Sequence, residues 1–309
     1  MKSTFWLTIV ATLGLAACSS SSKTSMNAAP ANPNTLLWRI SGKNLQKPSY
    51  LFGTMHMICA SDIVISDSLK SAISSADKVY LELDMDDMFQ MLGAMSHMTM
   101  RDDTTLADLL SPDDYKKVKT YFENKGGLMP FSMMEKFKPL LIESLIMEQS
   151  GECENMVVME QLIMEEAKES DKEIKGLETM DYQLGIFDKI PYKLQAQQLV
   201  KVVDNNDETN DENEMKILTQ AYRDQQLDKM DELTKMDPSI HDFADLLLYD
   251  RNMNWAKKLE GLMAKNSLVV AVGAGHLPGE RGVLNLLRKA GYKVEPVKND
   301  MIKKKVKDI

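Results

Sequence analysis

The stretch SLVVAVGAGHLPGERGVLNLLRKAGYKVEPV (residues 267–297) contains the pattern that decides the fold. It begins with a short apolar run that ends at Gly273, which is typical of a strand buried on both faces. A turn rich in glycine follows, then apolar residues at helical spacing, and finally the strand-like run YKVEPV. The segment therefore predicts strand, turn, helix and strand, an arrangement found in α/β sheets.

Other parts of the chain predict further strands of the same sheet. NTLLWRISG and KPSYLFGTMH predict two strands joined by a turn, and KVYLELDM (78–85) predicts a third with alternating apolar residues. DSLKSAISSAD (67–77) has helical spacing, and KEIKGLETM (172–180) predicts another short strand. Because strands occur near both ends, we expect a central mixed sheet built from the N- and C-terminal segments, with a large helical section inserted around 86–266.

The amino terminus has the pattern of an export signal. Lys2 is followed by a short apolar segment and small residues, and that segment is shorter than the roughly 20 residues of a membrane-spanning helix. LAAC (Leu15–Cys18) resembles a bacterial lipobox. This resemblance implies a signal peptide over residues 1–17 and lipidation of Cys18; the alternative is ordinary secretion with a coincidental cysteine.

Residues 18–34 are small and polar, so we expect a flexible tether that links a lipid anchor to a folded domain over 35–309. Ser19, directly after the cysteine, favours the outer membrane, facing the periplasm if the host is Gram-negative. The anchor would make the membrane one partner of the protein. The formal net charge of −9 argues against nucleic acid as another, because nucleic acid binding requires clustered Lys and Arg.

Two cysteines remain if Cys18 carries lipid, namely Cys59 and Cys153. In an oxidising envelope they could form a disulfide, but the sequence does not establish whether they lie close together. Their pairing is therefore left open.

Two apolar runs end in the pattern G-x-x-H, at Gly53–His56 and at Gly273–His276. Ligands of open α/β sheets gather beyond the carboxyl ends of strands, where both patterns are expected and where glycine permits a sharp turn. Glu82 lies near the end of another predicted strand. Two imidazoles and a carboxylate can hold a catalytic divalent metal. We therefore predict His56, Glu82 and His276 as metal ligands, with Gly53 and Gly273 beside the substrate.

Six segments, in this order, resemble the TraB/GumN family: LLWRISG, SYLFGTMH, VYLELD, GLETMDYQLGIF, LLYDRNMNWAKKLEGLM and VVAVGAGHLPGERGVLNLLRKAGYKVEPV. The resemblance spans nearly the whole predicted domain. The family shares its site with the Tiki metalloproteases, which implies a function based on the two G-x-x-H motifs and on glutamates that correspond here to Glu82 and Glu178. It also implies that Arg251 and Asn252 contact substrate or a carboxylate. On this basis Glu178 and Arg251 are predicted as catalytic and Asn252 as substrate-binding. A more distant similarity runs to the erythromycin esterase and ChaN-like fold.

The resulting functional hypothesis is a metal-dependent, peptidase-like hydrolase of the bacterial envelope, acting on a peptide or an envelope protein. Manganese, cobalt and zinc all suit the predicted ligands. The main alternative is a non-catalytic lipoprotein that binds a peptide, a pheromone or another envelope protein.

A third hypothesis is a copper-binding lipoprotein, because methionines recur at helical spacing beside His97: Met88, Met91, Met95 and Met98. Such a stripe is more often packing or contact surface, and we predict that role here.

Overall fold

The computed structural model describes residues 33–87, 93–125, 129–149, 153, 155–205, 210–236 and 242–301. Within these residues, six strands form a central sheet in the order β6-β4-β7-β2-β1-β8, and β3 and β5 form a second sheet of two strands. The strands are β1 Leu37–Ser41, β2 Ser49–Thr54, β3 Met57–Cys59, β4 Lys78–Leu83, β5 Met156–Val158, β6 Glu173–Glu178, β7 Leu268–Gly273 and β8 Lys293–Val297.

The central sheet is mixed. Its neighbours β6, β4, β7 and β2 are parallel, whereas β1 is antiparallel to both β2 and β8. This confirms the predicted α/β fold with a mixed sheet drawn from both ends of the chain. One strand, β6, comes from the middle of the sequence and forms an edge of the sheet beside β4. The section around 86–266 is therefore mainly but not wholly helical.

Helices account for most of the remaining described residues. A 3-10 turn at Ala274–His276 directly follows β7, and a π-helix at Asp245–Tyr249 directly precedes the helix Asp250–Met263. The α-helices are α1 Asp67–Ser75, α2 Leu106–Leu109, α3 Pro112–Lys125, α4 Phe131–Met134, α5 Pro139–Gln149, α6 Met159–Glu169, α7 Met180–Phe187, α8 Tyr192–Asn205, α9 Asn210–Arg223, α10 Leu227–Met236, α11 Asp250–Met263 and α12 Val283–Lys289.

The interior strands are buried on both faces because helices cover the sheet from both sides, as is usual for parallel strands. Every residue from Leu268 to Val272 is buried. In β4, the alternate residues Tyr80 and Glu82 are buried as well as Val79 and Leu81. Glu82 therefore enters the protein interior, where an ionised carboxylate requires specific partners.

A second, smaller apolar cluster lies among the helices of the middle section. It contains residues of α2 to α5 packed against α8. Its fully buried members include Leu106, Val118, Ile142, Ala196 and Leu199. Part of the helical section thus has a core of its own besides the core around the sheet.

The two cysteines whose pairing the sequence left open form a disulfide beside the two-stranded sheet. Strands β3 and β5 pair antiparallel, and a disulfide joins Cys59 to Cys153, with the two Cα atoms 6.0 Å apart.

No helix in the described ranges is both long and apolar enough to cross a membrane. The predicted signal peptide, Cys18 and most of the tether lie outside the described residues.

Candidate active site

The polar residues singled out from the sequence converge on one edge of the sheet. Four parallel neighbours, β6, β4, β7 and β2, all direct their carboxyl ends to this edge. Glu178 ends β6, Glu82 lies one residue before the end of β4, and Gly273 ends β7. His56 follows β2 by two residues, and Thr54 of β2 pairs with Gly273 of β7. Ligand sites of α/β sheets are found in this position.

His276 is buried and held in one orientation. Its Nδ1 lies 2.7 Å from the Asn252 Oδ1, and the Asn252 Nδ2 donates to the Arg281 carbonyl at 3.0 Å. Because the amide nitrogen is thereby directed away from the ring, Nδ1 carries the proton and Nε2 presents its lone pair. Burial lowers the pKa of His276 to about 4, so the ring is neutral near pH 7.

Both polar atoms of the Asn252 amide are therefore hydrogen-bonded within the protein, Oδ1 to His276 and Nδ2 to Arg281. Its predicted contact with substrate stays a prediction.

Glu82 is a buried carboxylate that stays ionised. One oxygen, Oε1, accepts a hydrogen bond from the Gly273 N–H at 2.8 Å, and Oε2 lies 2.5 Å from the Arg251 Nη2. Burial opposes its ionisation, but Arg251 and His276, which is protonated in the acid range where Glu82 titrates, outweigh this and lower the pKa of Glu82 to about 2. Oε1 also lies 3.9 Å from the His276 Nε2.

Arg251 links the two glutamates. Its Nε donates to the Glu178 Oε2 at 3.0 Å, while Nη2 contacts both Glu178 and Glu82. Its Nη1 donates to the Leu247 carbonyl and lies 3.3 Å from the His276 Nε2. The guanidinium packs over the ring of Trp255, which also packs on His276. The resemblance to the family implied contact with substrate or a carboxylate, and in this structure Arg251 contacts two carboxylates.

Glu178 differs from Glu82 in its electrostatic surroundings. Burial raises its pKa, although Arg251 opposes the rise. Thr179 follows directly and caps α7 by accepting a hydrogen bond from the Tyr182 N–H, so the strand stops at the glutamate. The two carboxylates that share one guanidinium thus have pKa values shifted in opposite directions.

His56 is on the open side of the site, with 70% of its side chain exposed. Its Nδ1 lies 2.9 Å from the Oε1 of Glu160, a buried residue of α6. The same oxygen accepts a hydrogen bond from the Thr54 Oγ1 at 2.7 Å. The hydrogen bond to Glu160 raises the pKa of His56 to about 9. His56 and His276 each have Nδ1 beside a side-chain oxygen, and the Nε2 of His276 contacts Arg251.

The glycines of the two motifs serve close packing. Neither Gly53 nor Gly273 has a positive φ, so the sharp turn that we expected of them is not their main use. A Cβ at Gly53 would lie 2.9 Å from the Leu277 Cδ1 and 3.1 Å from the Ala274 Cα. A Cβ at Gly273 would lie 3.3 Å from the Glu82 Oε1. The absent side chains let the two motifs approach each other; contact of these glycines with substrate stays a prediction.

Sequence reasoning missed two side chains that hydrogen-bond to the predicted metal ligands. Gln183 of α7 donates to the Glu82 Oε2 at 3.3 Å. The neighbouring sequence does not distinguish it from a surface glutamine. Glu160 could have been found, because it lies on the same helical face as Ile163, Met164 and Ala167. A glutamate on an otherwise apolar face requires a buried partner.

The donor set suits a divalent metal chemically. A neutral imidazole whose Nδ1 is bound by a side-chain oxygen, together with an ionised carboxylate, is the usual environment of metal-binding histidines. In this structure, however, the cation beside Glu82 and the His276 Nε2 is the guanidinium of Arg251. Among the described residues, no group of three or more His, Cys, Asp or Glu is arranged to hold a metal ion. A metal bound by Glu82 and His276 would therefore require Arg251 to move.

The methionine stripe is described only in part. Met88 and Met91 lie outside the described residues, whereas 64% of Met95 is exposed and Met98 is half-buried. His97 lies 3.9 Å from the Asp181 carboxylate at the surface. The role of the stripe as packing or contact surface stays a prediction.

Together, the fold and the site define an α/β protein with paired histidines and glutamates at the carboxyl edge of a mixed sheet. The sequence profile of the TraB/PrgY/gumN family matches residues 36–296. The chain belongs to this family, as the six segments predicted.

Known relatives include metalloproteases. The chain is 24% identical over 314 residues to the metalloprotease TIKI2 of Danio rerio, which covers 85% of this chain and 61% of the relative. It is 24% identical over 315 residues to the human metalloprotease TIKI1 and 25% over 318 residues to the TIKI homologue of Amphimedon queenslandica, with 85% of this chain and 62% of the relative covered in each case. The chain thus spans about three fifths of the length of these relatives. No solved structure matches the chain, so the similarity to the erythromycin esterase and ChaN-like fold stays a prediction.

Proposed function

We propose that this protein is a metal-dependent hydrolase that cleaves peptide bonds at the carboxyl edge of its sheet. The observation that carries the proposal is the convergence of two oriented imidazoles, His56 and His276, with two carboxylates of opposite pKa shift. The similarity to TIKI metalloproteases supports the same class of reaction. We further propose a peptide or envelope protein as substrate and an anchor at Cys18 in the cell envelope.

His56, His276 and Glu82 would hold the metal, with manganese, cobalt and zinc as candidates. Because its pKa is raised to about 9, His56 would release a proton as the metal binds. When bound, such a metal lowers the pKa of water and polarises a carbonyl oxygen. Asn252 keeps the Nε2 lone pair of His276 available by holding the opposite nitrogen. Glu82 remains ionised at neutral pH, which suits a ligand.

Glu178 is the proton carrier in this proposal. Pairs of carboxylates whose surroundings separate their pKa values commonly divide the work between a charged group and an acid or base. Burial raises the pKa of Glu178, so it accepts a proton more readily than Glu82 does. Arg251 would stabilise the negative charge that develops on the carbonyl oxygen during attack. For Glu178 to take up a proton and for Arg251 to stabilise this negative charge, the guanidinium must loosen its present contacts with Glu82 and His276.

One observation favours the alternative of a non-catalytic binding protein. The positive charge of Arg251 is already matched by Glu82 and Glu178, and its Nη1 contacts the His276 Nε2. A protein that kept this arrangement would offer a shaped pocket for a peptide without activating water. Peptide binding without turnover, at any divalent metal concentration, would support this alternative.

Substitution of the two glutamates tests the proposal. Glu82→Gln is expected to lower metal content and activity together, because a ligand charge is lost. Glu178→Gln is expected to keep the metal and to lose peptide cleavage by about 10²–10⁴-fold, because glutamine cannot accept the proton. Metal content is measured by elemental analysis and cleavage by mass spectrometry of a peptide library.

Glu173→Gln is the matched control, because Glu173 begins the strand that Glu178 ends and is exposed. It should retain both metal and activity. Metal loss in Glu178→Gln but not in Glu82→Gln would reverse the two assignments. If neither substitution changed either quantity, the hydrolase proposal would be wrong.

A further inference from the structure

Glu160 is a buried carboxylate whose place has no explanation in the packing of its helix. The buried face of α6 is otherwise apolar, with Met159, Ile163, Met164 and Ala167, and Glu160 lies on it with 6% of its surface exposed. A buried ionised carboxylate is unfavourable unless hydrogen bonds or an opposite charge compensate it. Its partners therefore indicate why it is there.

Those partners both belong to the first G-x-x-H motif. Oε1 of Glu160 lies 2.9 Å from the His56 Nδ1 and accepts from the Thr54 Oγ1 at 2.7 Å. Its other oxygen, Oε2, is buried without a hydrogen-bond partner in the part of the chain that the structure describes. The side-chain contacts of this carboxylate are thus with the G-x-x-H motif and not with its own helix.

The backbone holds the two residues close together. His56 directly precedes β3, and Glu160 follows β5 by two residues, with Met57 of β3 paired to Val158 of β5. The Met159 N–H donates to the His56 carbonyl at 3.3 Å. At the far end of the same pair of strands lies the Cys59–Cys153 disulfide. The pairing of β3 with β5 keeps His56 beside the first turn of α6, where Glu160 lies.

We propose that Glu160 is a positioning residue for His56: it holds the ring by Nδ1 so that Nε2 is presented at the open side of the site. The arrangement matches that of Asn252 and His276 at the second motif, where a side-chain oxygen also holds Nδ1. Partners of this kind orient metal-binding histidines, and their loss typically weakens metal binding by about 10–100-fold. The proposal rests on the hydrolase function proposed above for the value of such orientation.

The test uses three variants of the full chain. Glu160→Met removes the acceptor but keeps an apolar side chain of similar size on the buried face, so folding is expected to survive. Glu160→Gln keeps an oxygen that can accept from Nδ1. Glu165→Gln is the control, because Glu165 is an exposed residue of the same helix and its substitution makes the same change in charge.

Two quantities are measured for each variant. The first is the 1H–15N signal of the hydrogen-bonded Nδ1 proton of His56, which can be assigned with His56→Gln because the chain has four histidines. The second is the Kd for Mn²⁺, Co²⁺ and Zn²⁺ by calorimetry. Glu160→Met should lose the signal and bind the preferred metal about 10–100-fold more weakly. Glu160→Gln should keep the signal and most of the affinity, and Glu165→Gln should match the wild type.

Persistence of the Nδ1 signal in Glu160→Met would overturn the proposal. So would a lost signal with unchanged metal affinity, because holding the ring would then not serve the site. If the wild type bound none of the three metals, the hydrolase proposal would fail on its own. The Nδ1 signal in Glu160→Met and Glu160→Gln would still decide whether Glu160 holds His56.

Discussion

At the scale of single residues, the site depends on which nitrogen of each histidine is held by a neighbouring side-chain oxygen. The four ring nitrogens of His56 and His276 are chemically similar in the unfolded chain. Folding places Glu160 beside one Nδ1 and Asn252 beside the other. The two partners differ in charge, and the two rings differ accordingly: the pKa of His56 rises to about 9, whereas burial lowers that of His276 to about 4. One site thus contains two histidines in different protonation states.

The lowered pKa of His276 predicts a loss of stability in acid. The unfolded chain takes up this proton near pH 6.5 and the folded chain near pH 4, so the unfolded state binds more protons between these values. In metal-free protein, the free energy of unfolding should fall as the pH falls through this window, by on the order of 3 kcal/mol from His276. Denaturant titrations at several pH values measure the slope.

Two substitutions isolate the contribution of His276. His276→Gln should flatten the slope between pH 6.5 and 4, because the titrating group is gone. His97→Gln is the control for replacing a histidine as such, since half of the His97 side chain is exposed at the surface. Equal slopes in the wild type and in His276→Gln would contradict the prediction.

At the scale of the elements, the site depends on how closely two strand ends approach. Strands β2 and β7 are parallel neighbours, and the turn after β7 packs against the end of β2. Leu277 and Ala274 occupy the space that a side chain at Gly53 would need. The Gly53 carbonyl accepts a hydrogen bond from the Tyr222 hydroxyl at 3.0 Å. The pattern G-x-x-H therefore describes two turns that fit against each other.

Substitution of Gly53 by alanine should reveal this close approach. The added Cβ would meet the Leu277 Cδ1 at 2.9 Å and the backbone Ala274 Cα at 3.1 Å, so a turn must shift. We expect Gly53→Ala to lower the free energy of unfolding by about 1–3 kcal/mol, as overpacking does. Thermal and chemical unfolding measure the change.

Gly261 provides the matched control, because it lies in α11 and an added Cβ would meet no atom within 4 Å beyond its chain neighbours and the adjacent backbone of its own helix. Gly261→Ala should stabilise the protein by about 0.5–1 kcal/mol, since alanine favours a helix more than glycine does. If Gly53→Ala were as stable as Gly261→Ala, the packing account of the motif would be wrong.

At the scale of the whole molecule, we propose that the folded domain is tied to a membrane by its amino terminus. The proposal is supported by the lipobox-like LAAC at Leu15–Cys18 and by the small, polar residues that follow. The acidic net charge of −9 does not favour binding to anionic lipid through the domain itself. The membrane contact would then depend on the lipid at Cys18.

Cys18→Ser tests this anchor. Without the thiol there is no site for the lipid, and a single substitution should move the protein from the membrane fraction to the soluble fraction. Cell fractionation with immunoblotting measures the distribution. Cys59→Ser is a control for cysteine substitution as such, since Cys59 is disulfide-bonded within the domain. Membrane association that persisted in Cys18→Ser would refute the anchor.

Several features of the protein could be predicted from local sequence alone. The apolar runs that end at Gly53 and Gly273, and the alternation in β4, predict strands because side-chain burial repeats every two residues in a strand. The positions of Glu82 and His276 at or just beyond strand ends also predict that they lie on the ligand-binding side of the sheet, and in the structure the two side chains are 3.9 Å apart. These conclusions depend on short-range patterns, which the sequence itself contains.

The partners of the site residues were decided only by the tertiary structure. Glu160 is 104 positions from His56, and Arg251 is brought against Glu82 from 169 positions away. The disulfide between Cys59 and Cys153 likewise depends on the pairing of β3 with β5. The physical reason is that burial and charge pairing act between elements remote in sequence. Hydrophobic periodicity places each residue on a face of its own element but does not state which element that face will meet.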